Sequence, residues 1–326
     1  MQKIFITGGS GFVGQHMIPF LIRHKYEVMA LCRSEAAAQK VRAVGGIPIM
    51  DDLTSLSTRT ASALEECEAV VHSAAYMDFN YESELFYQIN VEATRTLLEM
   101  AESRGVKKFI YISAAPVVPG SPIENLTEDR ANPGLPRDLY PKTKAIAERT
   151  VLAKNTPNFK TISLRPPAIW GPDNHHMEEV FERVKAGKWR WIGGSHQILS
   201  TIHIDNLSSA VIAALKSDLG GEAYFVTDGD RRSMRTTFSA IFKAHGLEPG
   251  NKEFPLGIAA LFAGIFDFIW RLFRLKSRPP VPALAVRLMG REFSVSDQKA
   301  RKELGYKNVI HFEEGVRALA RSKSAK

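Results

Sequence analysis

A short apolar run, Lys3–Thr7, passes directly into Gly8-Gly9-Ser10-Gly11-Phe12-Val13-Gly14, and helical periodicity follows to about His24. No other segment constrains the chain as strongly. Glycine at positions 8, 11 and 14 permits, in turn, a tight turn, a close approach of a ligand to bare backbone, and close packing of helix on strand. A helix that begins there offers free N–H groups and a partial positive charge to a pyrophosphate. The order strand, turn, helix is the context that a dinucleotide-binding unit requires.

The pattern continues in kind. Glu27–Cys32, Ile47–Met50, Ala69–Ser73, Lys108–Ser113 and Thr161–Arg165 read as strands. Asn90–Ser103, with Val91, Thr94, Leu97, Leu98 and Ala101 at helical spacing, and Tyr140–Asn155 read as helices. Strands separated by helices imply crossover units and a mostly parallel sheet, and nearly all-apolar strands such as Phe109–Ile112 imply a sheet covered on both faces. Pro19, inside the first helical pattern, is expected to kink or shorten that helix. Thr201–Ala214 reads as one more strand feeding a helix. Beyond Asp228 the alternation stops.

A chain of 326 residues is long for one simple core, so one large domain and a smaller companion are expected. We place a cofactor domain at 1–166, rejoined by 199–226, and a substrate domain at 167–198 and 227–326. Two cysteines, Cys32 and Cys67, cannot form a disulfide framework, and no histidine spacing suggests a metal site, His175-His176 included. Met1-Gln2-Lys3 leads straight into a strand, leaving no room for a signal peptide. A reduced, cytoplasmic protein is the expectation.

The net charge of +8 is uneven: residues 271–326 hold 14 Lys/Arg against 5 Asp/Glu. No nucleic-acid-binding motif accompanies this charge, so nucleic acid is not an expected partner. The apolar run Leu256–Phe266 is interrupted by Asp267 and Arg271, too short to span a bilayer. Asp267, Arg271, Arg274 and Arg278 would form one helical stripe, Phe266, Ile269, Trp270 and Phe273 the opposite face, and Pro279-Pro280 the end of the helix. Residues 256–278 are thus a lid over an apolar pocket, an interfacial membrane helix, or a core helix.

The glycine spacing, Gly-x-x-Gly-x-x-Gly, resembles that of the extended short-chain dehydrogenase/reductase family. So do Asp52-Leu53 after the third strand, Val70-Val71-His72-Ser73-Ala74-Ala75, Asn90-Val91, Tyr140-Pro141-Lys142-Thr143-Lys144, Leu164-Arg165-Pro166-Pro167 with Trp170-Gly171-Pro172, and His203-Ile204-Asp205-Asn206. The tail, with Arg278-Pro279-Pro280, Ala300–Tyr306 and Glu313-Glu314-Gly315, resembles the 3β-hydroxysteroid dehydrogenase subfamily. The resemblance implies an α/β, Rossmann-type doubly wound parallel sheet with a smaller, mostly helical C-terminal substrate domain. It implies cofactor contacts from Gly8, Ser10, Gly11, Phe12, Val13 and Gly14, from Asp52 and Leu53, from Ala74 and Ala75, and from Tyr140, Lys144 and Pro167.

An acid at the end of the second strand would bind the adenosine ribose of NAD. Here Cys32 occupies that position and Arg33 follows, and a guanidinium suits a 2′-phosphate, so NADP is favoured over NAD. Tyr140 and Lys144 share a helix face. The resemblance implies that Tyr140 exchanges the substrate proton and that Lys144 holds the nicotinamide ribose. The family's catalytic Ser or Thr falls at Ala114, with Ser113 one residue earlier. A regular strand would aim Ser113 away from the substrate; a strand already ended would let it reach.

The expected function is the interconversion of a secondary alcohol and a ketone on an apolar, sterol-like or long-chain β-keto substrate. Two alternatives stay open: a cofactor-binding sensor or assembly factor without turnover, and a nucleotide-sugar epimerase or dehydratase. Contact of 256–278 with a membrane and a homodimer are also left open.

Overall fold

The computed structural model describes residues 2–324, with side chains through Arg321. Seven parallel strands form the central sheet. The first five are β1 (Gln2–Thr7), β2 (Tyr26–Cys32), β3 (Ile47–Met50), β4 (Ala69–His72) and β5 (Lys108–Ile112). From one edge the order is Glu222–Phe225, Lys160–Arg165, β5, β4, β1, β2, β3. The chain therefore winds one way from β1 and then the other. The order reverses between β1 and β4, and it is outside the strand ends at such a point that sheets of this kind bind ligands.

Strand alternation sorts the apolar residues onto two faces. Ile4, Ile6, Val28, Ala30, Ile110 and Ile112 pack with α1 (Phe12–Arg23) and the Ile204–Lys216 helix. Phe5, Met29, Leu31, Phe109 and Tyr111 pack with the Ala93–Ser103 and Leu139–Ala153 helices. With both faces covered, the strands can be almost wholly apolar.

Four expectations are corrected. The helix α1 runs through Pro19 to Arg23, so the proline does not shorten it. Thr201–His203 does not join the large sheet; it pairs with Ala168–Trp170 in a two-stranded ribbon, and the seventh strand is Glu222–Phe225. The helix that opens at Leu256 ends at Leu272, well before Pro279-Pro280. Arg274 adopts φ 51°, the N–H of Leu275 reaches the Trp270 carbonyl at 2.9 Å, and that of Arg274 reaches the Arg271 carbonyl at 3.3 Å. This is a Schellman-type stop made without glycine, and it takes Arg274 and Arg278 off the helical stripe. The core-helix alternative for this segment also fails. The helix rests on a small separate cluster of Ala259, Ala263 and Val286, and Leu261, Phe262, Ile265, Phe268 and Leu272 face outward.

Candidate functional site

The glycine turn has a distinct geometry at each position. Gly8 has φ 73°, and a β-carbon there would lie 2.9 Å from the backbone nitrogen of Ala74. A β-carbon at Gly14 would come within 2.4 Å of the Gly8 carbonyl oxygen and of Gly9 Cα, so only glycine lets α1 sit this close to β1. At Gly11 the nearest atom would be the Gly8 oxygen at 3.4 Å, which leaves the outer side open. Gly11 also starts α1 without a side-chain cap, and the first turn carries no acid. The helices at Ser34, Ser57 and Ser233 are all capped by their serine hydroxyls. Bare first-turn N–H groups at α1 suit an anionic group such as a pyrophosphate, with Ser10, Phe12 and Val13 along its path.

A buried chain of hydrogen bonds fixes the opposite wall. The Thr7 hydroxyl lies 2.6 Å from His72 Nδ1 and receives the Ala74 N–H at 3.1 Å. His72 Nε2 lies 2.8 Å from the Thr94 hydroxyl, which donates to the Asn90 carbonyl at 2.8 Å. The donor order this requires is Thr7 O–H to Nδ1 and Nε2–H to Thr94, a neutral imidazole. Burial, with Lys144 nearby, lowers the His72 pKa to about 3. The network joins β1, β4 and the following helix, and it places Ala74 and Ala75 just past the end of β4.

At the end of β2, Cys32 is fully buried, with Sγ 3.4 Å from the Ala30 carbonyl, while Arg33 is exposed. Asp52 accepts both the N–H and the hydroxyl of Thr54, at 2.8 and 2.7 Å, and its pKa is lowered chiefly by those bonds, with a smaller contribution from Arg33. Leu53 packs at the edge of the core. Arg33 thus follows the end of β2, and Asp52 and Leu53 the end of the neighbouring β3.

The Leu139–Ala153 helix tolerates Pro141 in its first turn, where no intrahelical N–H is needed. It presents Tyr140 and Lys144 one turn apart. Lys144 is buried, donates to the Ile112 carbonyl at 2.6 Å, and lies 4.0 Å from the centroid of the Tyr111 ring. Burial lowers its pKa to about 7, against an opposing effect of Glu148. Burial pushes that of Tyr140 up to about 12. An ammonium has three N–H groups, and among the described residues only the Ile112 oxygen accepts from this one, which leaves donors free. Pro167 is buried just beyond Arg165, whose guanidinium is fixed to Glu148 at 2.6 Å.

Ser113 and Ala114 follow β5. The Ser113 N–H bonds Leu164 O at 2.8 Å and the Ala115 N–H bonds Pro166 O at 2.8 Å, so the extended ladder continues past Ile112. Ser113 keeps the parity of Tyr111; its hydroxyl is buried, with no hydrogen-bond partner among the described residues. Ala114 packs in the cluster on which Tyr140 rests.

Some residues build the site through contacts that the sequence does not announce. Asn90 sits in a π-turn, Gln88–Glu92, and holds Tyr76 through both N–H and carbonyl (2.7 and 3.0 Å) and Thr143 at 3.1 Å. Tyr81, Arg137 and Arg271 converge on the carboxylate of Asp267. A single acid in an apolar helix, four residues before an arginine, was the available signal for Asp267. Tyr140 borders a small cavity lined also by Asp78, Tyr81, Asp138, Arg271 and Pro282–Leu284, so the end of the Leu256–Leu272 helix and the Pro282–Leu284 segment lie beside it.

The doubly wound sheet, the uncapped glycine turn and the Tyr140–Lys144 pair together define an extended short-chain dehydrogenase/reductase. Within that class the chain belongs to the 3-beta hydroxysteroid dehydrogenase/isomerase family, whose pattern matches residues 5–256. It is 33% identical, over 99% of its length and 97% of the relative's, to a 4-hydroxy-2-methyl-3-oxo-4-farnesyl-3,4-dihydroquinoline-1-oxide ketoreductase of Stigmatella aurantiaca. It is 32% identical, over 98% of its length and 100% of the relative's, to a decarboxylating sterol-4-alpha-carboxylate 3-dehydrogenase of Dictyostelium discoideum. The UDP-glucuronic acid 4-epimerase of Bacillus cereus, solved with UDP-glucuronic acid and NAD, superposes with a TM-score of 0.75 over 100% of both chains; at 20% identity the likeness is one of fold. The chain is an oxidoreductase of the CH–OH-acting type.

Proposed function

We propose that the protein interconverts a ketone and a secondary alcohol on an apolar skeleton, using NADP in preference to NAD. The placement of Tyr140 and Lys144 at the end of β5, on the same edge of the sheet as the bare start of α1, carries this reading. Residues 1–166 with 199–226 would hold the cofactor, and 167–198 with 227–326 the substrate. When bound, a nicotinamide dinucleotide supplies the hydride in reduction and accepts it in oxidation. Gly11 and the first turn of α1 would hold its pyrophosphate, Arg33 a 2′-phosphate, and Lys144 the ribose nearest the chemistry. Tyr140 gives its proton to the carbonyl oxygen as the alcohol forms and takes it back in the reverse direction. Lys144, near neutrality and tied to Ile112, keeps positive charge close to the phenol oxygen when that proton leaves.

An apolar substrate is supported by the farnesyl and sterol skeletons in the names of two relatives of nearly full coverage. A nucleotide sugar is not favoured, because the relatives of nearly full coverage are named for farnesyl and sterol skeletons. Ala114 in place of a hydroxyl donor lowers the expected rate by about 10²–10³ without abolishing it, so the non-catalytic alternative is not needed. Assays with NADPH and with NADH against a 3-ketosteroid and a long-chain β-keto acid test the proposal. Alcohol formation, faster with NADPH, is the expected result; no turnover on any apolar ketone with either cofactor would overturn it. We further assign the protein a peripheral position on a membrane.

A further inference from the structure

We propose that Glu148 is a positioning residue for the proton exchange at Tyr140: from one helical turn away it keeps Lys144 charged and in place. The inference rests on the oxidoreductase reading above. Glu148 follows Lys144 by four residues on the Leu139–Ala153 helix, as Lys144 follows Tyr140, so the three side chains lie along one stripe. Lys144 and Glu148 are both buried, at 1% and 3% exposure.

A carboxylate on the inner side of a helix is costly unless it is paired and hydrogen-bonded. Glu148 meets both conditions, and its partners come from one strand, Lys160–Arg165. The Ser163 hydroxyl donates to it at 2.7 Å. Arg165 donates through Nε to both oxygens, at 3.1 and 3.0 Å, and through Nη2 at 2.6 Å. Ser163 and Arg165 are two apart and so face the same side of the sheet, and Ser163 lies opposite Tyr111 of β5. The helix is therefore fastened to adjacent strands at points one turn apart: Lys144 to the Ile112 carbonyl of β5 at 2.6 Å, and Glu148 to the next strand.

The electrostatics ask more of Glu148 than fastening. Lys144 makes no ion pair among the described residues. From β5, the Tyr111 ring lies with its centroid 4.0 Å from Nζ, and burial raises that phenol well above its ordinary pKa, so it stays neutral. From β4, His72 is neutral as well. On the same helix, Tyr140 keeps its proton at neutral pH. Arg165 adds positive charge, and its guanidinium is turned to the Glu148 oxygens. Glu148 is thus the one acid among these groups, and its charge opposes the burial that brings the Lys144 pKa down to about 7. With that charge removed, burial acts unopposed and the ammonium gives up its proton more readily.

NMR of lysine-labelled protein over a range of pH, with the Lys144 signal assigned through Lys144→Met, tests this on the full chain beside rates of alcohol oxidation. In Glu148→Gln the Lys144 midpoint should fall by about one unit or more. The alkaline rise of oxidation should move to higher pH, because less positive charge then helps the phenol lose its proton. Glu148→Asp keeps the charge and should hold the midpoint near that of wild type, even where the melting temperature drops. Ser163→Ala removes one bond of the clamp and no charge, so it should leave the midpoint in place. Glu148→Gln leaves the Arg165 guanidinium unpaired; if that variant does not fold, Glu148→Gln with Arg165→Met has no stranded charge and should show the same fall. A Lys144 midpoint that stays put in the charge-removing variant, or that falls equally in Ser163→Ala, would overturn the proposal. A midpoint that falls as expected in a protein whose wild type oxidises no apolar alcohol would instead count against the oxidoreductase reading alone.

Discussion

Lys144 Nζ donates to the carbonyl oxygen of Ile112 at 2.6 Å, tying the Leu139–Ala153 helix to the last residue of β5. The bond holds a buried ammonium at the strand end, where burial brings its pKa to about 7 and lifts that of Tyr140 to about 12. At neutral pH the tyrosine therefore keeps its proton, as its proposed role in ketone reduction requires. Alcohol oxidation requires the phenolate. Its rate should rise from neutral into alkaline pH, while ketone reduction should hold across neutral pH. Initial rates in both directions over that range check this; oxidation that is flat with pH would assign the proton to another group.

The neutral, doubly bonded His72 makes the fold sensitive to acid. Its pKa in the folded protein is about 3, against 6.5 for a free side chain. Below 6.5 the unfolded chain takes up a proton that the folded one refuses. The stability present above pH 6.5 is thus lost as pH falls toward 3, by about 1.4 kcal/mol per pH unit at full effect. Urea unfolding at a series of pH values should show this slope, and His72→Asn should be less stable at neutral pH yet show a shallower acid slope. An unchanged slope would trace the acid sensitivity elsewhere.

The two residues after β5 divide their roles by parity. Ala114→Ser should raise ketone turnover, because it restores a donor in the cluster beneath Tyr140. Ser113→Ala should cost far less than the loss of an oxyanion donor, since its hydroxyl is covered. A fall of about 10²-fold or more in Ser113→Ala would make Ser113 the donor.

Cofactor choice should follow Arg33. In Arg33→Ala, NADP affinity should fall while NAD affinity changes little, as read by fluorescence titration of both reduced cofactors. Equal NADP affinity in wild type and variant would remove Arg33 from the phosphate site.

Much of the fold was legible because both faces of the sheet are buried. Strands such as Phe109–Ile112 must then be apolar throughout, and glycine is forced at Gly14 by a 2.4 Å contact that no other residue survives. What escaped depends on distant partners. Thr201–His203 has a strand's composition, but its neighbour Ala168–Trp170 sits outside the main sheet. The stop at Leu272 was hidden because Arg274, with no glycine to signal it, takes the left-handed conformation. Which face of the 256–272 segment is buried could not be read from periodicity, since the buried stripe is two alanines and an acid while the larger apolar face stays outside. Asn90 stood out only as part of Asn90-Val91 and Thr94 only as a helix residue; their hydrogen bonds to Tyr76, Thr143 and His72 depend on partners distant in the chain.

Tyr140→Phe tests the central claim most directly. Turnover of an apolar ketone and cofactor affinity are measured side by side in wild type and variant. The phenol oxygen carries the proton, and the ring contributes little to holding the dinucleotide. Turnover should be lost while cofactor affinity stays close to that of wild type. Turnover that persists at the wild-type rate in Tyr140→Phe would contradict the account.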